Sequence, residues 1–310
     1  MTVLVRDLRP DDRSDVETFA RVRHLALPHI LWTPDAIRHH LARTPPEAHA
    51  RSLVAEEDGE VTGTAQLSLA HDSPEPGQGM LNIYVHPERT RRGAGGALVR
   101  AAEEHLAAHG ATKLFAWLLD EPDNRAFAER RGYRAGRSAH FLSLDLTRAV
   151  LPPLPAPVPA GVELRTAADF SDDPRPLFEL DAETMADEPS DVDAELSDFQ
   201  AWVAQFWEHP LLDRELTTVV LADGRPAAFS VAYTDGGSRY ATAMTGTARA
   251  YRGRGLAKLA KTDSLRRARA AGHTQALTGN DTGNGPMLAI NKWLGYEICA
   301  TEVRYVRELG

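Results

Sequence analysis

Tyr251-Arg252-Gly253-Arg254-Gly255-Leu256-Ala257 joins two segments of different character. Before it, Arg239-Tyr240-Ala241-Thr242-Ala243-Met244-Thr245 mixes apolar residues with Thr and Tyr, the composition of a strand. After it, Leu256 to Ala271 runs without proline or glycine, as a helix does. A turn that opens a helix offers backbone N–H groups and a positive dipole end to an anion. Gly253 and Gly255 let the backbone approach a phosphate, and Arg252 and Arg254 add charge-assisted hydrogen bonds. The unit is strand, Arg/Gly turn, helix.

Two better-known phosphate loops do not fit. A Walker loop ends in Gly-Lys-Ser/Thr, which is absent here. A dinucleotide fingerprint needs a third glycine where this chain has Lys258. The pattern that remains is Arg-x-x-Gly-x-Ala, at Arg252, Gly255 and Ala257. It resembles the acetyl-CoA pyrophosphate loop of the GNAT-family N-acetyltransferases, Gln/Arg-x-x-Gly-x-Gly/Ala.

Outward from the loop, the chain repeats itself. Met80-Leu81-Asn82-Ile83-Tyr84-Val85 reads as a strand, followed by Arg91-Arg92-Gly93-Ala94-Gly95-Gly96 and a helix carrying Leu98, Val99, Ala102 and Leu106. The two glycine turns, aligned at Gly93 and Gly255, are 162 residues apart. Each half opens on a short strand, residues 3–9 and 162–165. Two helices follow in each, predicted at 15–27 and from Pro34, then at 176–185 and 196–207. Each half next has a hairpin turning on Asp58-Gly59 or Asp223-Gly224. Further strands are expected at 113–119, 141–146 and 275–280, and a short helix at 127–131. Between the halves, Leu151 to Gly161 contains five prolines, a semi-rigid extended spacer. The expected organisation is a domain at 1–150, a linker at 151–161 and a domain at 162–310. The fold class is α/β: two tandem GNAT-like domains, each a mixed, mostly antiparallel sheet flanked by helices.

Length and composition agree. The 310 residues suit two domains of about 150. A content of 43% hydrophobic and 25% charged residues supports packed cores, and no apolar run approaches a membrane span. Cys299 is the single cysteine, so a reducing, cytoplasmic setting is expected. A net charge of −9 argues against a nucleic-acid partner. His71, His86 and His140 have no metal-ligand spacing, and no metal is expected. Trp202, Phe206 and Trp207 stand at helical spacing and read as core.

The resemblance extends past the loop. The family commonly has Asn-x-x-Ala…Phe-Tyr-x-x-x-Gly-Phe after the next strand. Counting back from Gly295, Asn284 falls on the family asparagine, Met287 on its alanine and Asn291 on its tyrosine, often the acid for the departing thiolate. In layout the chain is similar to actinobacterial two-domain acetyltransferases such as mycothiol synthase. The resemblance implies acetyl-CoA as cofactor, held by Gly246, Thr247, Arg252, Gly253, Arg254, Gly255, Leu256, Ala257, Asn280 and Asn284. It also implies that the strand before the loop splays from its neighbour so that pantetheine pairs with its backbone. A backbone N–H near Gly246 or Thr247 would polarise the thioester carbonyl.

Departures from the family pattern shape the rest of the reading. The strand before the second loop carries no carboxylate to serve as base. An amide at Asn291 donates a hydrogen bond and yields no proton. Candidate catalytic groups are therefore Asn291, Tyr251 and Tyr240. In the first half the leading loop position is Thr90, the tyrosine position Ala128 and the asparagine position Glu121. That half reads as non-catalytic, with a possible second cofactor site at Val85, Arg91, Arg92, Gly93, Ala94, Gly95 and Gly96. Glu179, Asp181, Glu183, Asp187 and Glu188 lie where the family lines its acceptor site, with Glu183, Asp187 and Glu188 taken as substrate contacts. The expected activity is direct acetyl transfer to a small amine in the second domain, by a monomer or homodimer. The alternatives are a non-catalytic acyl-CoA binding or sensing protein, and an acyltransferase using propionyl- or succinyl-CoA.

Overall fold

The computed structural model describes residues 2–188, 191 and 196–309. In chain order it contains β1 (Val3–Asp7), α1 (Arg13–Ala26), α2 (Pro34–Arg43), β2 (Arg51–Glu57), β3 (Glu60–Leu69) and β4 (Gln78–Val85). Then come α3 (Ala94–Ala108), β5 (Lys113–Leu119), α4 (Pro122–Glu129) and β6 (Arg134–Asp145). The second half has β7 (Val162–Thr166), α5 (Arg175–Met185), α6 (Phe199–Trp202), β8 (Thr218–Ala222), β9 (Arg225–Thr234) and β10 (Arg239–Thr247). It ends with α7 (Leu256–Ala270), β11 (Gln275–Asp281), α8 (Gly285–Leu294) and β12 (Glu297–Glu308).

Local chemistry sets these boundaries. Asp12 accepts from the backbone of Ser14 and Asp15 and starts α1, and Thr33 does the same for α2 through Ala36 N. Asp58-Gly59 and Asp223-Gly224 all have φ between 53° and 82°, the paired positive φ of a type I′ hairpin turn. Asp198 caps α6 with bonds from Gln200 and Ala201, so this helix begins three residues later than the apolar pattern at Leu196 suggests. It continues through Trp207 as a wider turn. The helix predicted at 127–131 instead spans Pro122–Glu129, with proline in its first turn.

The chain forms two compact units. The first takes residues to Ala139, Asp191 and the segment from Ala300 onward; the second takes residues from His140 to 188 and from 196 to Cys299. This differs from the expected division at 151–161. Residues 140–150 fall in the second unit and residues 300–309 in the first. The expectation assumed that each unit is continuous in sequence, whereas β6 and β12 are each divided between the two.

In the first unit the sheet runs β1-β2-β3-β4-β5, followed by the later part of β12 and the earlier part of β6. The pairs from β1 to β4 and the β5–β12 pair are antiparallel, and β4–β5 is parallel. Leu53, Leu67, Leu81, Leu98, Leu106, Leu114 and Tyr305 fill one face of the sheet with α3. Val16, Phe19, Ile37 and Val54 fill the other, with α1 and α2.

In the second unit the order is β7-β8-β9-β10-β11 and then the later part of β6. The β10–β11 pair is parallel and the pairs from β7 to β10 are antiparallel. Helix α7 packs Leu256, Ala260 and Leu265 on one face. Leu177, Trp202 and Trp207 cover the other against Val219.

Candidate functional site

The second unit's site grows from a separation of two strands. Pairing of β10 with β11 runs from Arg239↔Gln275 to Thr242↔Thr278, yet both strands continue, to Thr247 and Asp281. A register shift between Thr242 and Met244 on the β9 side bends β10 at the same point. Ala243 to Thr247 thus line an opening with their edge unpaired toward β11. A cavity of about 590 Å³ occupies it, ending at the glycine turn. Its walls include Gly246, Thr247, Tyr251, Arg252, Gly253, Gly255, Leu256, Ala257, Asn280 and Asn284. Arg254 is not among them; its guanidinium lies 5.4 Å from the Tyr251 ring centre.

The turn suits a diphosphate. Gly253 and Gly255 hold φ of 77° and 78°, a region that side chains disfavour, and no atom lies within 4 Å of where their Cβ would stand. The open cradle leads into the first turn of α7, whose N–H groups have no preceding helical turn to bond. Arg252 brackets the turn through Nε to the Thr247 carbonyl (3.1 Å) and an ion pair with Asp187. The carbon-and-amide walls above it fit a pantetheine arm, so the residues present match acetyl-CoA.

Asn284 caps α8, accepting from Met287 N at 3.2 Å, and lines the cavity. Asn291 is fully buried and outside the cavity wall. Its Nδ2 donates to Asn280 Oδ1, and its own Oδ1 has no partner among the described residues. Asn291 therefore reaches the site through Asn280. Tyr240 is also fully buried; its hydroxyl bonds Ser264 (2.7 Å) and Thr242 (3.3 Å), and it forms no part of the wall. Burial raises its pKa.

The acidic segment is engaged with the loop. Asp187 binds Arg249 at 2.8 Å as well as Arg252, and the two hydrogen-bonded guanidiniums hold its pKa well below the usual carboxylate range. Glu183 accepts from Arg249 N at 2.6 Å. Glu188 lines the cavity. Asp181 sits deeper, accepting from Trp202 Nε1 at 2.8 Å, and desolvation raises its pKa.

Sequence reading missed Lys261. It is one turn beyond Ala257 on α7, fully buried, and its Nζ is 3.4 Å from Thr278 Oγ1 at the last paired rung before the opening. Its ammonium lies 5.1 Å from the Tyr296 ring centre. Burial lowers its pKa to about 7. A lysine within an otherwise small and apolar helix face, Leu256-Ala257-Leu259-Ala260, was the available signal.

The first unit has a parallel opening, since β4 and β5 pair only from Gln78↔Lys113 to Met80↔Phe115. A cavity of about 1000 Å³ there includes Val85, Arg91, Gly93, Ala94, Gly95 and Gly96, while Arg92 is not on its wall. Here the opening is bridged: Asn82 Oδ1 accepts from Trp117 N at 3.2 Å. Arg131 lies over the Phe127 ring at 3.7 Å and close to Gly96. Arg91 is paired with Asp123 at 2.6 Å.

Comparison with known proteins agrees with this geometry. Residues 17–133 match the model of the acetyltransferase (GNAT) family and residues 159–281 that of an acetyltransferase (GNAT) domain. The chain is 32% identical over 258 residues to a mycothiol acetyltransferase of Kineococcus radiotolerans, covering 82% of this chain and 80% of that protein. A mycothiol acetyltransferase of Nocardia farcinica is 42% identical over 125 residues, 40% of this chain and 38% of that protein. Among solved structures, a tandem GNAT protein from the clavulanic acid biosynthesis pathway superposes with a TM-score of 0.76 at 23% identity, covering 100% of this chain and 99% of that one. The chain therefore belongs to the GNAT family of N-acetyltransferases, with two of its domains in tandem.

Proposed function

We propose that the protein transfers the acetyl group of acetyl-CoA to a small primary amine, and that transfer takes place in the second unit. The observation that carries this reading is the opened β10–β11 edge with an unfilled glycine cradle at its end. In the first unit the Asn82–Trp117 bond spans the corresponding gap, which supports a non-catalytic role there, as a second acyl-CoA site or a scaffold.

The amine lone pair forms the new N–C bond at the thioester carbon, and the C–S pair departs on sulfur. Nitrogen loses a proton and sulfur gains one. Backbone N–H groups of β10 near Gly246 lie along the opened edge to polarise the carbonyl. Lys261 lines this cavity and titrates near neutrality, so it is our candidate to hand the departing thiolate its proton. Asn291 orients Asn280 and supplies no proton.

Arg252→Ala combined with Gly255→Glu places a carboxylate in the cradle and removes its cation. Calorimetric titration with acetyl-CoA is expected to lose the second unit's binding isotherm. Unchanged affinity there would sink the assignment. A second reading, that the acceptor is the one for which the mycothiol acetyltransferases are named, is favoured by the match across four fifths of both chains. Steady-state comparison of that acceptor with a general amine panel separates the two.

A further inference from the structure

A second cavity, of about 320 Å³, meets the first along β10, and the two share Ala243, Met244 and Glu188. This volume is at the small end of pockets that take small organic ligands, about 300–1,000 Å³. Its remaining wall is dominated by carbon: Trp202 and Trp207, stacked at 5.9 Å, with Phe206, Val219, Phe229 and Tyr233. The carboxylates on it are Asp181, tied to the Trp202 indole, and Glu188 at the shared wall. Asp181 and Met185 stand one helical turn apart on α5, so the acidic and apolar groups face the same space.

Such a wall favours one kind of acceptor. A body studded with hydroxyls would leave them facing carbon without partners, whereas a ring or branched hydrocarbon gains by leaving water. Aromatic faces and a nearby carboxylate also attract an ammonium group. Glu183 and Asp187 bond the arginine loop and do not line this cavity, whose acidic residues are Asp181 and Glu188.

We propose that this cavity is the acceptor pocket and that it selects a primary amine on a compact, ring-bearing apolar body, with the nitrogen at the wall shared with the acetyl-CoA cavity. The proposal rests on the acetyl-transfer reading above and names its substrate class.

The test uses the full-length protein with acetyl-CoA and follows thiol release for 2-phenylethylamine and tryptamine against glucosamine and putrescine. The arylalkyl amines are expected to show kcat/KM at least tenfold higher. Glucosamine or putrescine as the better substrate overturns the proposal. Phe206 is 37% exposed, so Phe206→Arg spares the core while placing a charge at the cavity. It should raise KM for 2-phenylethylamine at least tenfold and leave the acetyl-CoA dissociation constant unchanged. Titration of tryptophan fluorescence with 2-phenylethylamine gives an independent readout, because Trp202 and Trp207 form the wall. A saturable change that Phe206→Arg abolishes supports the pocket, and no change overturns it. If acetyl-CoA fails to bind, the transfer reading falls by itself and the fluorescence titration still decides the pocket.

Discussion

Lys261 combines full burial with a hydroxyl contact and no carboxylate at its ammonium among the described interactions. Its pKa of about 7, against an ordinary value of 10.5, corresponds to a penalty of about 5 kcal/mol on the ammonium form relative to water. Because the folded value lies below the unfolded one, the unfolded chain holds the proton more tightly between these limits. The cost to stability is complete at pH 7 and below, and it fades as pH rises toward 10.5. Lys261→Met is therefore expected to raise the urea midpoint at pH 7 and to raise it much less at pH 10. The same variant should lower kcat about a hundredfold and remove an alkaline limb near pH 7 from the rate profile. Equal stabilisation at both pH values contradicts the burial account. A kcat that survives the substitution contradicts the proton-donor role.

At the scale of elements, α5 and β10 come together at Gly246. A Cβ on Gly246 would stand 2.7 Å from Cβ, Cγ2 and Oγ1 of Thr184. Gly246→Ala has to push α5 off the sheet, an overpacking cost of about 1–3 kcal/mol. Since α5 carries Asp181 on one cavity and Thr184 on the other, both walls should move with it. The expected outcome is lower stability together with weaker acetyl-CoA binding; Thr184→Gly in the same chain should restore much of both.

Much of this arrangement is legible in the residues. Asp-Gly pairs mark both hairpins, and the cradle, Asn280 and Asn284 line one cavity. What escaped depended on distant partners. Nothing in the chain near Tyr240 shows that its hydroxyl points to Ser264, 24 residues on. Asp187 read as a substrate contact because its two arginines, 62 and 65 residues away, arrive only through folding. Strand β12 is not legible locally, since its alternation of Val303, Tyr305 and polar residues gives no hint of which sheet it joins.

At the scale of the molecule, the sheet of the first unit is completed by β12, a strand distant in sequence. Glu302 to Glu308 pair with Leu119 to Lys113 across the whole of β5, and Tyr305, 2% exposed, is part of that unit's core. A fragment ending in the proline-rich segment would leave β5 as a bare apolar edge. Deleting residues 300–310 is expected to abolish hydrogen-exchange protection on β5 while amides of α7 in the second unit keep theirs. Retained protection on β5 would show that β12 contributes little.

The late arrival of β12 also sets an order in time. On the ribosome, residues 2–139 emerge well before the strand that completes their sheet. At synthesis rates of about 5–20 residues per second, the interval lasts on the order of 10–30 s. The unit made first is therefore the one finished last. A nascent chain stalled before Ala300 should have a protease-sensitive N-terminal half, and one stalled after β12 has emerged should resist.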